Sequence, residues 1–310
     1  MKLLRRTAWV AVPLDEKRDL GSVRQIISGY IDLMKPHVTV LLLGTTVAAM
    51  AIAQRGLPPF SLILATLLGG ALAAGSANCI NCYIDRDIDQ VMGRTQRRSL
   101  PSGRVEPHQA LIFGIVLGIS SFIVLALFVN LLSALLACSA IFFYVFIYTL
   151  WLKRSTAQNI VIGGAAGAVP VLVGWAAVTN NLSFAAIWLF AIIFYWTPPH
   201  FWALSLLIQK DYEKANIPML PVVMGERETR KQIFLYSLLL LATTMMLFVL
   251  HTMGYFYLIS ALLLGGILVY MSVRLLFDQT SKKWARTLFW YSNCYLALIF
   301  AIMVIDRVIS

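Results

Sequence analysis

The sequence predicts an all-α membrane protein, a polytopic bundle of about nine transmembrane helices, and three observations lead to that prediction. Of its residues, 60% are hydrophobic and only 13% are charged, and the mean hydropathy is +0.79. These values lie far outside the range of an ordinary soluble domain. Apolar runs of roughly 20 residues, the length that crosses a hydrocarbon core about 30 Å thick, recur along the chain. Lysine and arginine gather in alternate loops, as they do in polytopic proteins.

The predicted helices follow one another with short connections. Their approximate bounds are residues 38–54, 61–83, 109–129, 132–151, 160–179, 184–208, 233–251, 255–276 and 286–307. The beginning of the chain lacks the apolar core of a secretory signal. We therefore expect residues 1–30 to form a short cytoplasmic tail and residues 31–310 to form a single transmembrane domain.

The positive charges predict how the chain is oriented. With nine spans and a cytoplasmic N-terminus, all 25 lysines and arginines except Arg55 and Arg307 fall on the cytoplasmic face. Positive charge is retained on that side, so we expect an integral protein of the bacterial inner membrane with a periplasmic C-terminus. The net charge of +11 is then a topology signal and an attraction to anionic lipid, and it predicts no nucleic acid partner.

A polar stripe ends the second predicted span. Asn78, Asn81, Asp85 and Asp89 are three, four and four residues apart, so at about 100° per residue they share one helix face, whereas Asp87 points towards solvent. Two carboxylates one turn apart repel each other unless a cation offsets them, above all near a membrane. Mg²⁺ prefers such oxygen ligands. A DxxxD pair alone is weak evidence, because such pairs are common on solvated helices.

The next segment, "GRTQRRSLPSGR", supplies Arg94, Arg97, Arg98 and Arg104. Guanidinium groups bind phosphate oxygens in a fork geometry, so the carboxylates and arginines together predict a site for a magnesium diphosphate. If the segment is helical, Arg97 faces away from Arg94 and Arg98. The alternative, a loop rich in arginine only because of topology, leaves the polar stripe unexplained.

A second acidic cluster follows the sixth span. Asp211, Glu213 and Lys214 lie at the cytoplasmic end of that helix. The two clusters are four spans apart, which suggests two similar four-helix halves around a central cavity open to the bilayer. Opposed acidic ends can hold one diphosphate through bridging metal ions.

These residues resemble a known family. "NCYIDRDID" is similar to the NxxxDxxxD motif of the UbiA superfamily of intramembrane prenyltransferases, with Asn81, Asp85 and Asp89 at its polar positions. Together with "LMKPHVTVLLLGTT", "YTLWLKRSTAQNIVIGGAAGAVPVLVGW", "WTPPHFWALSL" and "DYEKANIPMLPVV", it resembles the protohaem IX farnesyltransferases over about residues 30–225. The chain departs from the superfamily at the second acidic site, where many relatives carry DxxxD and Asp211 is followed by Ala215. His37 is a smaller departure.

The resemblance implies Mg²⁺-dependent transfer of a farnesyl group from farnesyl diphosphate to the vinyl group of haem B, giving haem O. It implies Asp85, Asp89 and Asp211 as metal ligands, Asn81 beside them, and Arg94 and Arg98 on the phosphates. Further candidate diphosphate ligands are cations at cytoplasmic helix ends, each of which suits a topology or headgroup role at least as well: Lys35, Lys153, Arg154 and Lys214. The aromatic run "FFYVFIYTLW" could stabilise a carbocation or simply face lipid.

His200 is the candidate for the acceptor side. It precedes Asp211 by about three helical turns, which places it on the same helix face roughly 16 Å deeper in the membrane. Pro198 and Pro199 should kink or unwind the helix just before it. His200 is then either an axial ligand of haem iron or a neutral histidine bonded to a carbonyl freed at the kink.

Two other functions remain open at this point. One is prenylation of an aromatic quinone precursor by the same machinery. The other is transport, which also uses half-repeats and intramembrane polar residues, but a transporter should carry charge near the bilayer midplane. Membrane lipid is an expected partner, and so are downstream haem-modifying or terminal oxidase assembly proteins.

Overall fold

The computed structural model describes residues 23–278 and 282–309. Its helices are α1 (Val23–Leu33), α2 (Pro36–Gln54), α3 (Phe60–Ile84), α4 (Arg86–Val91), α5 (Pro107–Phe128), α6 (Leu131–Phe142), α7 (Lys153–Ser155), α8 (Asn159–Thr179), α9 (Phe184–Leu207), α10 (Gln209–Lys214), α11 (Leu220–Val223), α12 (Gly225–Val249), α13 (Tyr255–Phe277) and α14 (Lys283–Ile309). A π-helix, Phe143–Leu152, joins α6 to α7. Most of the predicted tail lies outside the described residues, and its last part belongs to α1.

Nine membrane-length helices are confirmed within the described ranges. They are α2, α3, α5, the continuous stretch Leu131–Ser155, α8, α9, α12, α13 and α14. The predicted bounds agree closely except for the seventh span, which was predicted from residue 233. Its helix, α12, begins at Gly225 because two charged turns precede the apolar part. Large apolar side chains such as Leu127, 73% exposed, cover the outside of the bundle, as expected of helices that face lipid.

The spans form two halves with the same order of neighbours. In the first half, α2 packs on α3, α3 on α5 and α5 on α6, and in the second half α8 packs on α9, α9 on α12 and α12 on α13. The second span of each half is followed by a break and a six-residue helix, α4 or α10. The ninth span, α14, packs against α13, α9 and α2. The two acidic clusters therefore occupy equivalent places.

The halves meet where α2 crosses α8. A Cβ atom at Gly174 would lie only 2.3 Å from the carbonyl oxygen of Thr46, so a residue without a side chain is required at this crossing. The Thr46 hydroxyl lies 3.2 Å from the carbonyl oxygen of Pro170 in α8 and 2.9 Å from that of Leu42 in its own helix. Close backbone approach brings the first helices of the two halves together.

The π-helix decides which aromatic side chains face inwards. Phe142, Phe146 and Trp151 are at least half exposed, whereas Tyr144 and Tyr148 are partly buried and stack with their ring centroids 5.3 Å apart. The exposed rings are therefore candidates to face lipid, and the partly buried tyrosines are candidates to stabilise a carbocation. π-Helical turns are rare and often occur at functional sites.

The sixth span differs from its prediction. α9 stays helical through Pro198 and Pro199, so the prolines do not unwind it, and of the two predicted effects the kink stays a prediction. Both prolines are buried among other helices, where neighbouring groups can compensate for the lost backbone hydrogen bonds. The helix ends instead at Leu207, and Ile208 connects it to α10.

Candidate active site

The residues of the polar stripe stay on one face across the junction between α3 and α4. Asp85 lies between α3 and α4, yet its backbone N–H donates to the carbonyl of Asn81 and its own carbonyl accepts from the N–H of Asp89. Hydrogen bonding thus continues across the junction, and the predicted face is kept. Asn78, Asn81, Asp85 and Asp89 are 7%, 3%, 1% and 3% exposed, whereas Asp87 points outwards as predicted, with its side chain 61% exposed.

Asp85 is surrounded by cations and by one amide. The Lys153 ammonium donates a hydrogen bond to Oδ2 of Asp85. The same oxygen accepts a 2.7 Å hydrogen bond from Nδ2 of Asn81. Arg154 lies 3.8 Å from Oδ1 and is itself held by two hydrogen bonds of 2.8 Å to Asp87. Oδ1 of Asp85 is buried without a hydrogen-bond partner. A buried, unpartnered carboxylate oxygen calls for an explanation, and it is the type of atom that binds a hard metal ion.

Asn81 connects three helical segments. Its Oδ1 accepts a 2.8 Å hydrogen bond from Lys35, and its Nδ2 also lies 3.2 Å from the hydroxyl of Thr149 in the π-helix. Lys35 adopts a left-handed conformation immediately before α2, and Asn78 donates a 3.0 Å hydrogen bond to the adjacent carbonyl of Met34. The junction between α1 and α2 is therefore fixed against the polar stripe.

Asp89 is paired with a single arginine. One guanidinium nitrogen of Arg98 lies 2.9 Å and 2.8 Å from the two Asp89 oxygens. Burial lowers the pKa of Arg98 and the Asp89 carboxylate raises it, and the net shift is upwards. Arg98 therefore stays charged, which is the state that a phosphate ligand requires.

The arginine segment is not the helix considered in the sequence prediction. Residues 92–105 form turns that pack on α1, with Ser99 donating to the carbonyl of Gly29 and Arg104 paired with Asp32. The helical argument that set Arg97 apart therefore does not apply, because the segment has no helical face. Arg94 and Arg97 are both exposed, whereas Arg98 is partly buried.

The same segment reaches the second acidic cluster. A Cβ atom at Gly93 would lie 3.9 Å from an Asp211 carboxylate oxygen. Burial raises the pKa of Tyr212, while the nearby charges of Arg94 and Arg98 lower it and that of Asp211 raises it. Tyr212 is thus in electrostatic range of both arginines and of Asp211. The loop between α4 and α5 brings the two predicted clusters to one site.

Two tyrosines of the π-helix complete this site. Tyr148 lies in electrostatic range of Asp85 and Tyr212, and Tyr144 lies in electrostatic range of Arg98. A Cβ atom at Gly163 of α8 would lie 2.3 Å from the Tyr148 ring, so glycine makes room for this side chain. Sequence reasoning singled out neither tyrosine, because it assumed no π-helix.

Asp85, Asp89 and Asp211 stay predicted metal ligands, but they do not form one compact cluster in the described part of the chain. Among the described residues, no three His, Cys, Asp or Glu side chains are arranged to hold a metal. The first two carboxylates instead pair with Lys153 and Arg98, because a buried carboxylate needs a countercharge. The unpartnered Oδ1 of Asp85 fits a metal ligand, and the Asp211 carboxylate makes no hydrogen bond or ion pair within the described ranges.

The other predicted cations differ in position. Lys35, Lys153 and Arg154 all contact the stripe or its neighbour Asp87. Lys214, in contrast, is exposed at the end of α10. The structure therefore gathers most, but not all, of the predicted diphosphate ligands around one polar stripe.

His200 lies in α9 and faces α14. Its Nδ1 is 2.8 Å from the hydroxyl of Ser292, and its ring stacks between Trp196 and Phe289, with centroids 4.3 Å and 4.8 Å away. The predicted bond to a carbonyl freed at the prolines is not observed, because Ser292 is the partner of Nδ1. The break at Ile208 also interrupts the straight helix from which a shared face with Asp211 was predicted.

Comparison with known proteins agrees with this geometry. The UbiA prenyltransferase family matches residues 42–293. The chain belongs to that family. A protohaem IX farnesyltransferase from Gloeobacter violaceus is 54% identical over 94% of this chain and 96% of its own length. Another, from Symbiobacterium thermophilum, is 52% identical over 94% of this chain and 98% of its own length.

Solved structures share the fold. A structure described as digeranylgeranylglyceryl phosphate synthase superposes with a TM-score of 0.77 at 17% identity, over 92% of this chain and all of that one. A UbiA homologue from Archaeoglobus fulgidus bound to GPP and Mg²⁺ gives a TM-score of 0.65 at 15% identity, over 89% of this chain and 99% of that one. At these identities the likeness concerns the fold.

Proposed function

We propose that this protein transfers the farnesyl group of farnesyl diphosphate to the vinyl group of haem B and so makes haem O. The observation that carries the proposal is the buried stripe of Asn81, Asp85 and Asp89, surrounded by cations at one end of an apolar helical bundle. Two relatives that match nearly the full chain are named for this activity. The family relationship supports prenyl transfer in general.

The reaction breaks the bond between the allylic carbon and the diphosphate oxygen, and the electron pair leaves with diphosphate. The allylic carbon then bonds to the vinyl group, and water adds to the resulting cation with loss of a proton, leaving a hydroxyethylfarnesyl group. Lys153, Lys35 and Arg98 would bind phosphate oxygens and offset the charge that develops on the leaving group. Arg94 supplies a further cation from the same loop.

The residues present fit Mg²⁺. Asp85 and Asp89 would hold it, with Asn81 beside them and Asp211 contributing from the second half. A bound Mg²⁺ would supply Lewis acid stabilisation of the departing diphosphate. Asp85 offers an oxygen, Oδ1, that accepts no hydrogen bond from the described residues.

Tyr144 and Tyr148 suit the next part of the reaction. Their stacked rings lie in electrostatic range of Asp85, and aromatic faces stabilise a nearby cation. An apolar surrounding also protects a carbocation from premature capture by water. For the acceptor, His200 is our candidate ligand to haem iron, within α9 of the second half.

We further propose that the site opens to the cytoplasmic side of a bacterial inner membrane, with the N-terminus cytoplasmic and the C-terminus periplasmic. The charge distribution supports this orientation. Haem O would then pass to haem-modifying or terminal oxidase assembly proteins. Transport is less well supported, since the buried carboxylates lie near helix ends: Asp85 and Asp89 at one end, and Asp306 at the other, where it accepts hydrogen bonds from the backbone at the start of α13.

Incubation of the purified protein with haem B, farnesyl diphosphate and Mg²⁺ tests the proposal. Mass spectrometry should detect a haem that has gained a hydroxyethylfarnesyl group. Asp85→Asn should abolish this product, whereas Asp87→Asn, which changes an exposed carboxylate two residues away, should retain most of it. Product from an aromatic quinone precursor but none from haem B would replace the proposal with the alternative acceptor.

A further inference from the structure

His200 stands apart from the other histidines of the chain. His37, His108 and His251 are exposed, whereas His200 is 9% exposed within the membrane-spanning part of α9. Trp196 and Phe289 cover both faces of its ring. Only the edge of the imidazole can therefore meet a ligand.

The hydrogen bonds of Ser292 favour one of the two ring nitrogens of His200 as the site of the proton. The hydroxyl of Ser292 donates to the carbonyl of Phe289 at 2.7 Å, and a hydroxyl has only one hydrogen to donate. A hydroxyl that donates to this carbonyl can meet His200 only as an acceptor, so the 2.8 Å contact is then a hydrogen bond from Nδ1–H to the Ser292 oxygen. In a neutral imidazole, Nε2 is left with its lone pair.

Ser292 is itself held firmly. It is fully buried, and its backbone carbonyl accepts a 2.7 Å hydrogen bond from the indole N–H of Trp196. The same tryptophan covers one face of His200, so α9 and α14 are joined around the imidazole at two points. Nε2 has no hydrogen-bond partner among the described residues, which leaves it available to a ligand.

We propose that Ser292 is a positioning residue that holds His200 as the Nδ1–H tautomer, so that Nε2 presents a lone pair to the iron of the tetrapyrrole acceptor. Ligating histidines characteristically donate their second N–H to an oxygen that fixes tautomer and ring orientation. Here the oxygen belongs to the ninth span, which follows both halves. The ligand role rests on the proposed haem substrate, whereas the tautomer does not.

The tautomer is measured directly. Protein labelled with ¹⁵N-histidine in lipid gives ring nitrogen signals from four histidines, and those of His200 are the ones that vanish in His200→Gln. In the wild-type protein the protonated nitrogen of His200 should be Nδ1, and Ser292→Ala should shift the population towards Nε2–H. Ser272→Ala is the matched control, because Ser272 is equally buried and has the same type of bond, to Val269, with no histidine partner.

Titration with haem B tests the ligand. His200→Gln should abolish the Soret shift, and Ser292→Ala should weaken haem affinity roughly tenfold, as expected for loss of an outer partner of a ligating histidine. Ser292→Thr, which keeps the hydroxyl, should restore the tautomer, and farnesyl diphosphate affinity should stay unchanged throughout.

An Nε2–H tautomer in the wild-type protein would overturn the inference even if Ser292→Ala failed to fold. An unchanged Soret shift in folded His200→Gln would overturn the ligand role. Neither result would contradict the proposed farnesyl transfer. Absence of farnesyl transfer would in turn not contradict the tautomer measured for His200.

Discussion

The two acidic helix ends share a local fold but differ in how their charges are compensated. After α3, Asp85 and Asp89 are almost fully buried, and each is paired with its own cation. After α9, the carboxylate of Asp211 is partly exposed and lies beside the arginine loop, with Gly93 as its close neighbour. The first end is preorganised by the protein, whereas the second is completed by a loop that belongs to the first half. Equivalent positions in two halves therefore need not contribute equally.

The largest expected effect concerns the preorganised end. Asp85→Asn should lower turnover about 10³-fold, because it removes an interaction with charge that develops in the transition state. Asp87→Asn in the same turn is the control and should lower turnover only slightly. Steady-state kinetics with haem B as acceptor measure both, and near wild-type turnover of Asp85→Asn would remove Asp85 from the metal site.

A smaller loss is expected at the second end. Asp211→Asn should lower turnover roughly 10- to 100-fold, since Asp211 is one unpaired carboxylate without a neighbouring acidic partner in the next turn. Steady-state kinetics with haem B as acceptor measure this loss as well. If Asp211→Asn costs as much as Asp85→Asn, then the two ends contribute equally and the asymmetry drawn from their surroundings is wrong.

The arginine loop should show graded effects. Arg98→Ala leaves the buried Asp89 unpaired and should lower the free energy of unfolding by roughly 2 kcal/mol, less than for a fully buried pair because Arg98 is 32% exposed. It should also weaken farnesyl diphosphate binding. Arg94→Ala should weaken binding with little loss of stability, and Arg97→Ala should have the smallest effect. Equal effects of all three on affinity would mean that bulk charge matters more than position.

The space that Gly163 leaves for Tyr148 should matter to the site, since that side chain lies in electrostatic range of both Asp85 and Tyr212. Gly163→Ala should force the Tyr148 ring to move and destabilise the protein by about 1–3 kcal/mol, with a fall in turnover. Gly167→Ala, one turn later in α8, is the control because a Cβ atom there meets no neighbouring atom within 4 Å. Similar melting temperatures for the two variants would contradict the tight packing described around Tyr148.

The smallest expected effect concerns the outer carboxylate of the first end. Partial burial raises the pKa of Asp87, but the hydrogen bonds and positive charge of Arg154, together with hydrogen bonds from backbone N–H groups, lower it more, so the net pKa lies below its ordinary value. A depressed pKa stabilises the folded state above the unfolded pKa, and the contribution disappears as pH falls through the folded value. The stability advantage of wild type over Asp87→Asn should be a few tenths of a kcal/mol near neutral pH. It should shrink below about pH 4 in thermal melts, and a constant difference would argue against the ion pair.

The sequence was sufficient for the features that depend on local periodicity. Hydrophobic runs predicted the nine spans, and the spacing of Asn81, Asp85 and Asp89 predicted one shared polar face, because short-range geometry determines both. Long-range packing determined the rest. No local pattern shows that Gly93 reaches Asp211, that a π-helix turns Thr149 towards Asn81, or that Ser292 meets His200 from another helix. The uninterrupted course of α9 through two prolines likewise depends on its neighbours.

Metal binding at the first acidic end is the most direct test of the central claim, that the Asn81–Asp85–Asp89 stripe binds a magnesium diphosphate. Mn²⁺, which prefers similar oxygen ligands, can replace Mg²⁺ as a paramagnetic probe in the purified protein, and its binding can be followed by electron paramagnetic resonance with and without farnesyl diphosphate. The account predicts that the diphosphate tightens Mn²⁺ binding in wild type and in Asp87→Asn, and that Asp85→Asn loses this binding while remaining folded. Undiminished, diphosphate-dependent Mn²⁺ binding in folded Asp85→Asn would contradict it.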